Sequence, residues 1–201
     1  LAKPEKCHFS VTSVEFLGYI ISDEGVAVTP EKARDIIDWP RPRNRKELKS
    51  FLGTASFSRR FIADYTKMIL PLLALDTKEA KSVQNAWSPE CERAFVTIKQ
   101  AMSTTPVLKH VDYNLPFIVE TDASDFALGA VLLQPDVLGS VHLQPVAYAS
   151  RKQVAAERNY SVYDKELLGL IFAFGKWHQF LFGAAHPVRV LTDHSNLQYF
   201  Q

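Results

Sequence analysis

Apolar and polar positions change period along this chain, and the changes mark its elements. Residues 7–28 follow a strand pattern. Val14 to Ile21 is rich in branched and aromatic side chains, and Ser22-Asp23-Glu24-Gly25 makes a turn. Val26-Ala27-Val28 is expected to return as the second strand of a hairpin. Thr29 and Pro30 then have the chemistry of a helix start, a capping hydroxyl followed by proline at the first helical position. That helix should stop before Pro40, because Trp39-Pro40-Arg41-Pro42 is a stiff connector. Asn44 and Glu47 resemble a capping box. Leu48, Phe51 and Leu52 give the helix that follows its apolar stripe, and Gly53 its expected end or break. Ser56 to Ile62 is expected to be helical again, and the polar stretch 76–86 reads as a linker. Ser88-Pro89 opens another helix, with Ala94, Phe95, Ile98 and Met102 at helical spacing.

From residue 116 the period shortens. Residues 116–122, about 127–134 and about 144–150 read as three strands, with a turn around Gly139 between the second and third. Ser161 and Asp164 cap a helix expected from about 161 to 182. Leu167, Leu170, Ile171, Phe174, Trp177 and Leu181 make its apolar surface broad, which predicts a buried core helix ended by Gly183. Residues 188–193 form a fourth strand, able to lie beside the first. Three strands, a helix and a strand make a mixed, layered α and β arrangement.

Composition adds limits. The chain has 201 residues, 47% hydrophobic and 22% charged, which is ordinary for a globular protein. A net charge of +1 does not announce a nucleic-acid partner. The charge is uneven, however. From Arg41 to Arg60 there are seven Lys or Arg residues against one acid, Glu47. A solvated helix face and a phosphate-tracking face both explain that run. Cys7 and Cys91 lie far apart and read as reduced thiols, which fits a cytosolic or nuclear protein. No stretch is long and apolar enough to span a membrane, so no membrane partner is expected. The chain opens on Leu1 and its first methionine is Met68, which predicts a piece of a longer polypeptide.

Three acids carry the candidate chemistry. Asp122 ends the apolar run 116–122, Glu166 interrupts an apolar helix, and Asp193 ends the run 188–193. Carboxylates in such places are costly alone. They become sensible if they converge on divalent metal, which prefers hard oxygen ligands. Three unrelated surface acids near element ends are the alternative reading. Asp125, in the turn beyond Asp122, reads as a solvated acid, and Trp177 as core.

Ordered blocks of residues then point to a family. Thr121-Asp122-Ala123-Ser124, followed by Gly129-Ala130-Val131-Leu132 and Gln134, resembles the opening of a retrotransposon RNase H domain. Tyr148-Ala149-Ser150-Arg151, Glu157-Arg158-Asn159-Tyr160, Lys165-Glu166-Leu167-Leu168 and Thr192-Asp193-His194 resemble the blocks that follow in it. Upstream, Lys6-Cys7-His8-Phe9, Phe16-Leu17-Gly18-Tyr19, Phe51-Leu52-Gly53, Arg59-Arg60-Phe61-Ile62 and Pro71-Leu72 resemble the end of a gypsy-type reverse transcriptase. The resemblance runs the length of the chain. It implies an α+β protein. Residues 1–28 would be the end of the polymerase palm, with a primer-grip-like hairpin. Residues 29–113 would be the helical thumb and connection, and 114–201 an RNase H-like mixed α/β domain that is incomplete at its C-terminus.

The resemblance also implies roles. Asp122, Glu166 and Asp193 would bind two Mg²⁺ ions, with Mn²⁺ as a substitute, and cleave the RNA strand of an RNA–DNA hybrid. Phe16, Leu17, Gly18 and Tyr19 would grip the primer terminus, and Arg59 and Arg60 would meet the duplex backbone. Primer-template and the rest of the Pol polyprotein, its palm, fingers and integrase, would be partners. The setting would be a cytoplasmic virus-like particle or the nucleus. Two family features have no counterpart in this sequence, the polymerase Tyr-x-Asp-Asp turn and a fourth RNase H carboxylate. The fragment is therefore not expected to synthesise DNA, and exposed apolar surface is expected on its RNase H part. A non-catalytic connection-like module and an inert domesticated remnant are the competing readings.

Overall fold

Helix caps and alternating strands set the architecture of the computed structural model, which describes residues 7–76 and 82–192. The first sheet is an antiparallel meander of β1 (Ser13–Phe16), β2 (Tyr19–Ser22) and β3 (Gly25–Val28). The stretch expected to be one strand over 14–21 is therefore two. Phe16 pairs with Tyr19, so Leu17 and Gly18 form a two-residue turn with both φ angles positive, 53° and 77°. That turn type favours Asn-Gly or Gly-Gly, and a leucine in its first position hides it in the sequence.

Four helices follow: α1 (Pro30–Ile37), α2 (Arg45–Phe57), α3 (Tyr65–Ala74) and α4 (Pro89–Ser103). Thr29, Asn44 and Ser88 cap α1, α2 and α4 with their side-chain oxygens, as their sequence positions predict. The Glu47 amide donates to Asn44 Oδ1 at 2.9 Å, and Glu47 Oε2 accepts from the amide of Arg43, one residue before the cap, at 2.8 Å. Gly53 does not end α2, which runs on to Phe57. An interior glycine costs about 1 kcal/mol. Burial of Leu48, Phe51, Leu52 and Ala55 outweighs that, at about 1.5–3 kcal/mol for each large side chain. Beyond Phe57 the expected second helix shrinks to a 3₁₀ turn over Arg59–Phe61.

The sequence pattern gave no sign of α3, because Pro71 sits inside it. Interior proline costs about 3 kcal/mol. Tyr65, Ile69 and Leu72 are buried beneath the helix, and together they exceed that cost. The core of this half centres on Phe51, whose ring lies 4.8 Å from Phe95 and 6.0 Å from Trp39.

The second sheet has the order β6-β5-β4-β7, built from β4 (Ile118–Ala123), β5 (Ala127–Pro135), β6 (Leu143–Lys152) and β7 (Arg189–Leu191). β7 lies parallel to β4, as the sequence allowed, and the other neighbours are antiparallel. The expected helix over 161–182 breaks at Trp177 into α5 (Val162–Lys176) and α6 (His178–Leu181). It is not buried all round. Glu166, Gly169, Ala173 and Trp177 face the sheet, while Ile171 is 61% exposed and Phe174 lies outward too. The outer side of α5 therefore presents apolar side chains to solvent.

Consecutive residues stitch the two sheets together. Leu108 exchanges both backbone hydrogen bonds with Val26 of β3, each 2.8 Å, and the Lys109 amide donates to Pro145 O of β6 at 2.8 Å. Helix α3 adds a second joint: the Thr66 amide donates to Ser150 Oγ at 2.9 Å, and their hydroxyls meet at 2.8 Å.

Gly25 is required at the first joint. Its φ is +141°, and a Cβ there would run into the Leu108 carbonyl. Gly25→Ala should destabilise the protein by about 1–3 kcal/mol in urea unfolding. A second test concerns the loop after β6. Two hydrogen bonds from Arg151, 2.7 and 2.9 Å, hold the Glu157 carboxyl below its ordinary value of 4.5. A depressed carboxylate stabilises above its unfolded pKa and loses that contribution as pH falls through the folded one. Unfolding free energy should therefore drop below about pH 4.5, and Glu157→Gln should remove that part of the slope.

Candidate functional site

Strand alternation decides where Asp122 points. Thr121 faces α5, where its side chain lies 3.6 Å from the position of a Cβ on Gly169. Asp122 faces the opposite way, toward α3. Its Oδ2 lies 3.5 Å from Lys67 Nζ, and both side chains are about half exposed. Its strand partner is Gly129, against which the Asp64 carboxylate packs so closely that a Cβ would collide with it. Asp64 precedes α3 in a left-handed conformation, φ 49°. Burial, then the Asp122 charge, pushes the Asp64 carboxyl above its usual range, and Lys67 opposes the shift. The sequence reading missed both residues, because Lys67 sits on the helix that Pro71 concealed and Asp64 immediately before it.

Glu166 lies on the sheet-facing side of α5, 6% exposed, as its place on the apolar stripe predicted. Next to it, Lys165 is also buried and reaches back to the β4–β5 turn, donating to Asp125 at 2.9 Å. The Asp125 side chain is 81% exposed, a solvated acid as the sequence suggests, and its contact with Lys165 joins the first turn of α5 to the β4–β5 turn. Asp122 and Glu166 are thus carried by adjacent packed elements, but Asp122 points to the α3 side of the sheet and Glu166 lies on the α5 side. Asp193 and His194 lie outside the described residues. Among the described residues, no group of three His, Cys, Asp or Glu side chains gathers closely enough to hold an ion.

The second candidate site is the β1–β2 turn. Phe16 and Leu17 are 60% and 69% exposed, an unusual presentation for two large apolar side chains. Tyr19 is anchored instead. Its ring stacks on Phe57 at 4.9 Å and its hydroxyl donates to Phe57 O at 2.9 Å. Burial raises the Tyr19 hydroxyl pKa, and the Arg60 charge opposes that. Gly18 packs against the Lys32 side chain. Arg59 and Arg60 are exposed on the 3₁₀ turn after α2, and neither joins an ion pair among the described residues. The structure thus keeps this turn and the two arginines on the outside, with the arginine-bearing 3₁₀ turn packed on β6.

Residues 87–190 match the model of an RNase H-like domain found in reverse transcriptase. The Tf2-3 and Tf2-4 transposon polyproteins of Schizosaccharomyces pombe are each 40% identical to the chain over 192 residues, which is 96% of this chain and 14% of theirs. The chain thus spans about a seventh of the length of these relatives. Among solved structures, a foamy viral protease-reverse transcriptase in complex with RNA/DNA hybrid superposes with a TM-score of 0.74 at 25% identity, covering 96% of this chain and 26% of that one. The same viral enzyme with double-stranded DNA gives 0.72 at 26% identity, covering 95% and 39%. The chain therefore belongs to the RNase H-like domains found in reverse transcriptase.

Proposed function

We propose that this chain is the thumb-to-RNase H segment of a retrotransposon Pol polyprotein and that its sheet-bearing half hydrolyses the RNA strand of RNA–DNA hybrids. The observation that carries the reading is the placement of Asp122 at the end of the central strand β4, with buried Glu166 on the helix packed against it. β4 and β7 pair through Glu120 and Leu191, and in the sequence Asp122 and Asp193 each stand two residues further on.

Domains of this family generally use divalent metal. The donor set here fits one, since all three candidate ligands are hard carboxylate oxygens. Asp122, Glu166 and Asp193 would hold it. When bound, Mg²⁺ or its substitute Mn²⁺ supplies Lewis-acid stabilisation of the phosphoryl group and lowers the pKa of the attacking water. The protein's own part is positioning. Burial fixes the Glu166 carboxylate, and its neighbour Lys165 reaches from the same turn of helix to the exposed Asp125 carboxylate. In the helical half, the Phe16–Tyr19 turn would hold the primer terminus, and Arg59 and Arg60 would contact phosphates. Primer-template, the hybrid and the remaining Pol segments, palm, fingers and integrase, are the partners in this reading. Its setting is the cytoplasmic virus-like particle or the nucleus.

A second reading has one observation in its favour. Lys67 of α3 holds Asp122, and α3 covers that face of the sheet. The same fold would then position hybrid without cutting it.

The test is hydrolysis of a labelled RNA–DNA hybrid with Mg²⁺. Asp122→Asn and Glu166→Gln should each lower the rate at least ~100-fold, about 2.7 kcal/mol of transition-state stabilisation, with melting temperature as the control. Salt-sensitive hybrid binding without cleavage supports the positioning reading. Neither cleavage nor binding refutes both.

A further inference from the structure

Alternate side chains along β4 meet α5. Phe117 and Val119 form the start of that row and are fully buried in one cluster with Ala173. Thr121 continues the row at the same two-residue spacing. Its side chain is 5% exposed, and its Cβ and Oγ1 lie 3.6 and 3.9 Å from the position a Cβ would take on Gly169. β6 and β7 both run parallel to β4, so the helix that joins them runs antiparallel to it. Glu166 comes one helical turn before Gly169, on the same sheet-facing side. It is therefore displaced from Thr121 toward the end of β4, and Gly169 has no side chain to stand between them.

Thr121 Oγ1 is buried and meets no hydrogen-bond partner among the described residues. A buried hydroxyl without a partner costs free energy. Valine has the shape of threonine without the hydroxyl, and it suits a strand as well. Packing alone therefore gives no reason for the oxygen. The hydroxyl is a donor, and the helix above it offers one matching group. Of the buried residues of α5, Gly169 and Ala173 have no polar side chain, and Lys165 has only donors and is engaged by Asp125. Glu166 alone carries a side-chain acceptor. Side chains three apart on a helix start about 5–6 Å from one another, so the Glu166 side chain begins within one turn of the Thr121 hydroxyl.

We infer that Thr121 is a positioning residue for Glu166: its hydroxyl donates to the Glu166 carboxylate when that carboxylate turns to hold a divalent cation, fixing one oxygen and leaving the other for the ion. The inference rests on the proposed function, in which Glu166 is a ligand, and names what orients it. Thr121 itself touches neither the ion nor the hybrid. Adjacent residues of one strand then serve the site from opposite sides of the sheet, Asp122 directly and Thr121 through Glu166.

The experiment is Mn²⁺ binding without nucleic acid, read as the loss of the free-ion signal in electron paramagnetic resonance. Wild type is compared with Thr121→Val, Thr121→Ser, Thr121→Ala and Glu166→Gln, each with its melting temperature. Thr121→Val should bind Mn²⁺ roughly tenfold or more weakly than wild type, the size of effect that loss of an outer hydrogen bond to a ligand produces. Thr121→Ser, which keeps the hydroxyl, should stay within about threefold of wild type. Wild-type affinity in Thr121→Val, with binding weakened in Glu166→Gln, overturns the inference and leaves the proposed function standing. Equal weakening in Thr121→Ser and Thr121→Val makes the residue a packing element and also overturns it. Wild type that takes up no Mn²⁺, or uptake that Glu166→Gln leaves unchanged, overturns both. Should Thr121→Val fail to fold, Thr121→Ser and Thr121→Ala decide, since both lack the methyl group and they differ in the hydroxyl alone. Equal affinity in those two overturns the inference, and weaker binding by Thr121→Ala upholds it.

Discussion

Two adjacent residues hold this structure's two sheets in one frame. Leu108 is bonded to β3 on one side, and Lys109 to β6 on the other. Lys109 also reaches across with its side chain, donating to Pro135 O at 2.6 Å. Backbone hydrogen bonds have fixed direction, so a chain segment bonded to two sheets in consecutive residues leaves little freedom between them. The helices fill the space this frame encloses. α3 then meets the second sheet at Ser150, which aligns the first turn of α3 with Asp122. The placement of Lys67 and Asp64 is therefore a result of the joint, rather than of any local preference of their own.

The sequence made some features legible and hid others for physical reasons. Capping chemistry is local, so Thr29, Asn44 and Ser88 marked helix starts that the structure keeps. Strand alternation placed β4, β5 and β6 within about two residues. Breaker residues misled. Gly53 and Pro71 lie inside helices whose buried side chains outweigh the breakers' intrinsic cost. Leu17 misled in the opposite direction, since its positive φ is set by strand pairing on both sides. At the site, the burial of Glu166 was legible from its helical stripe. The Lys67–Asp122 contact was not, because it joins residues 55 positions apart through a helix the pattern did not show.

The edge strand β6 presents a different constraint. Exposed strand edges invite pairing with other chains, and proteins blunt them with charge and with covering elements. Here Arg59, Arg60 and Lys176 line the free edge, and the 3₁₀ turn and α6 flank it. The arrangement guards the edge against pairing with another strand. The outer side of α5 has no such guard, and Ile171, Val162 and Tyr160 stay exposed along it.

The ion pair between Lys67 and Asp122 ties the packing of a helix to the charge of a carboxylate. Binding equilibria that share a group are reciprocal. A cation that takes Asp122 from Lys67 loosens the hold of α3 on the sheet, and a movement of α3 away from the sheet raises the affinity of Asp122 for that cation by the same factor. Both side chains are about half exposed, so the pair is worth about 0–1 kcal/mol. Through this pair, occupancy of Asp122 and the position of α3 are thus coupled by a factor of about five at most, a bias rather than a lock.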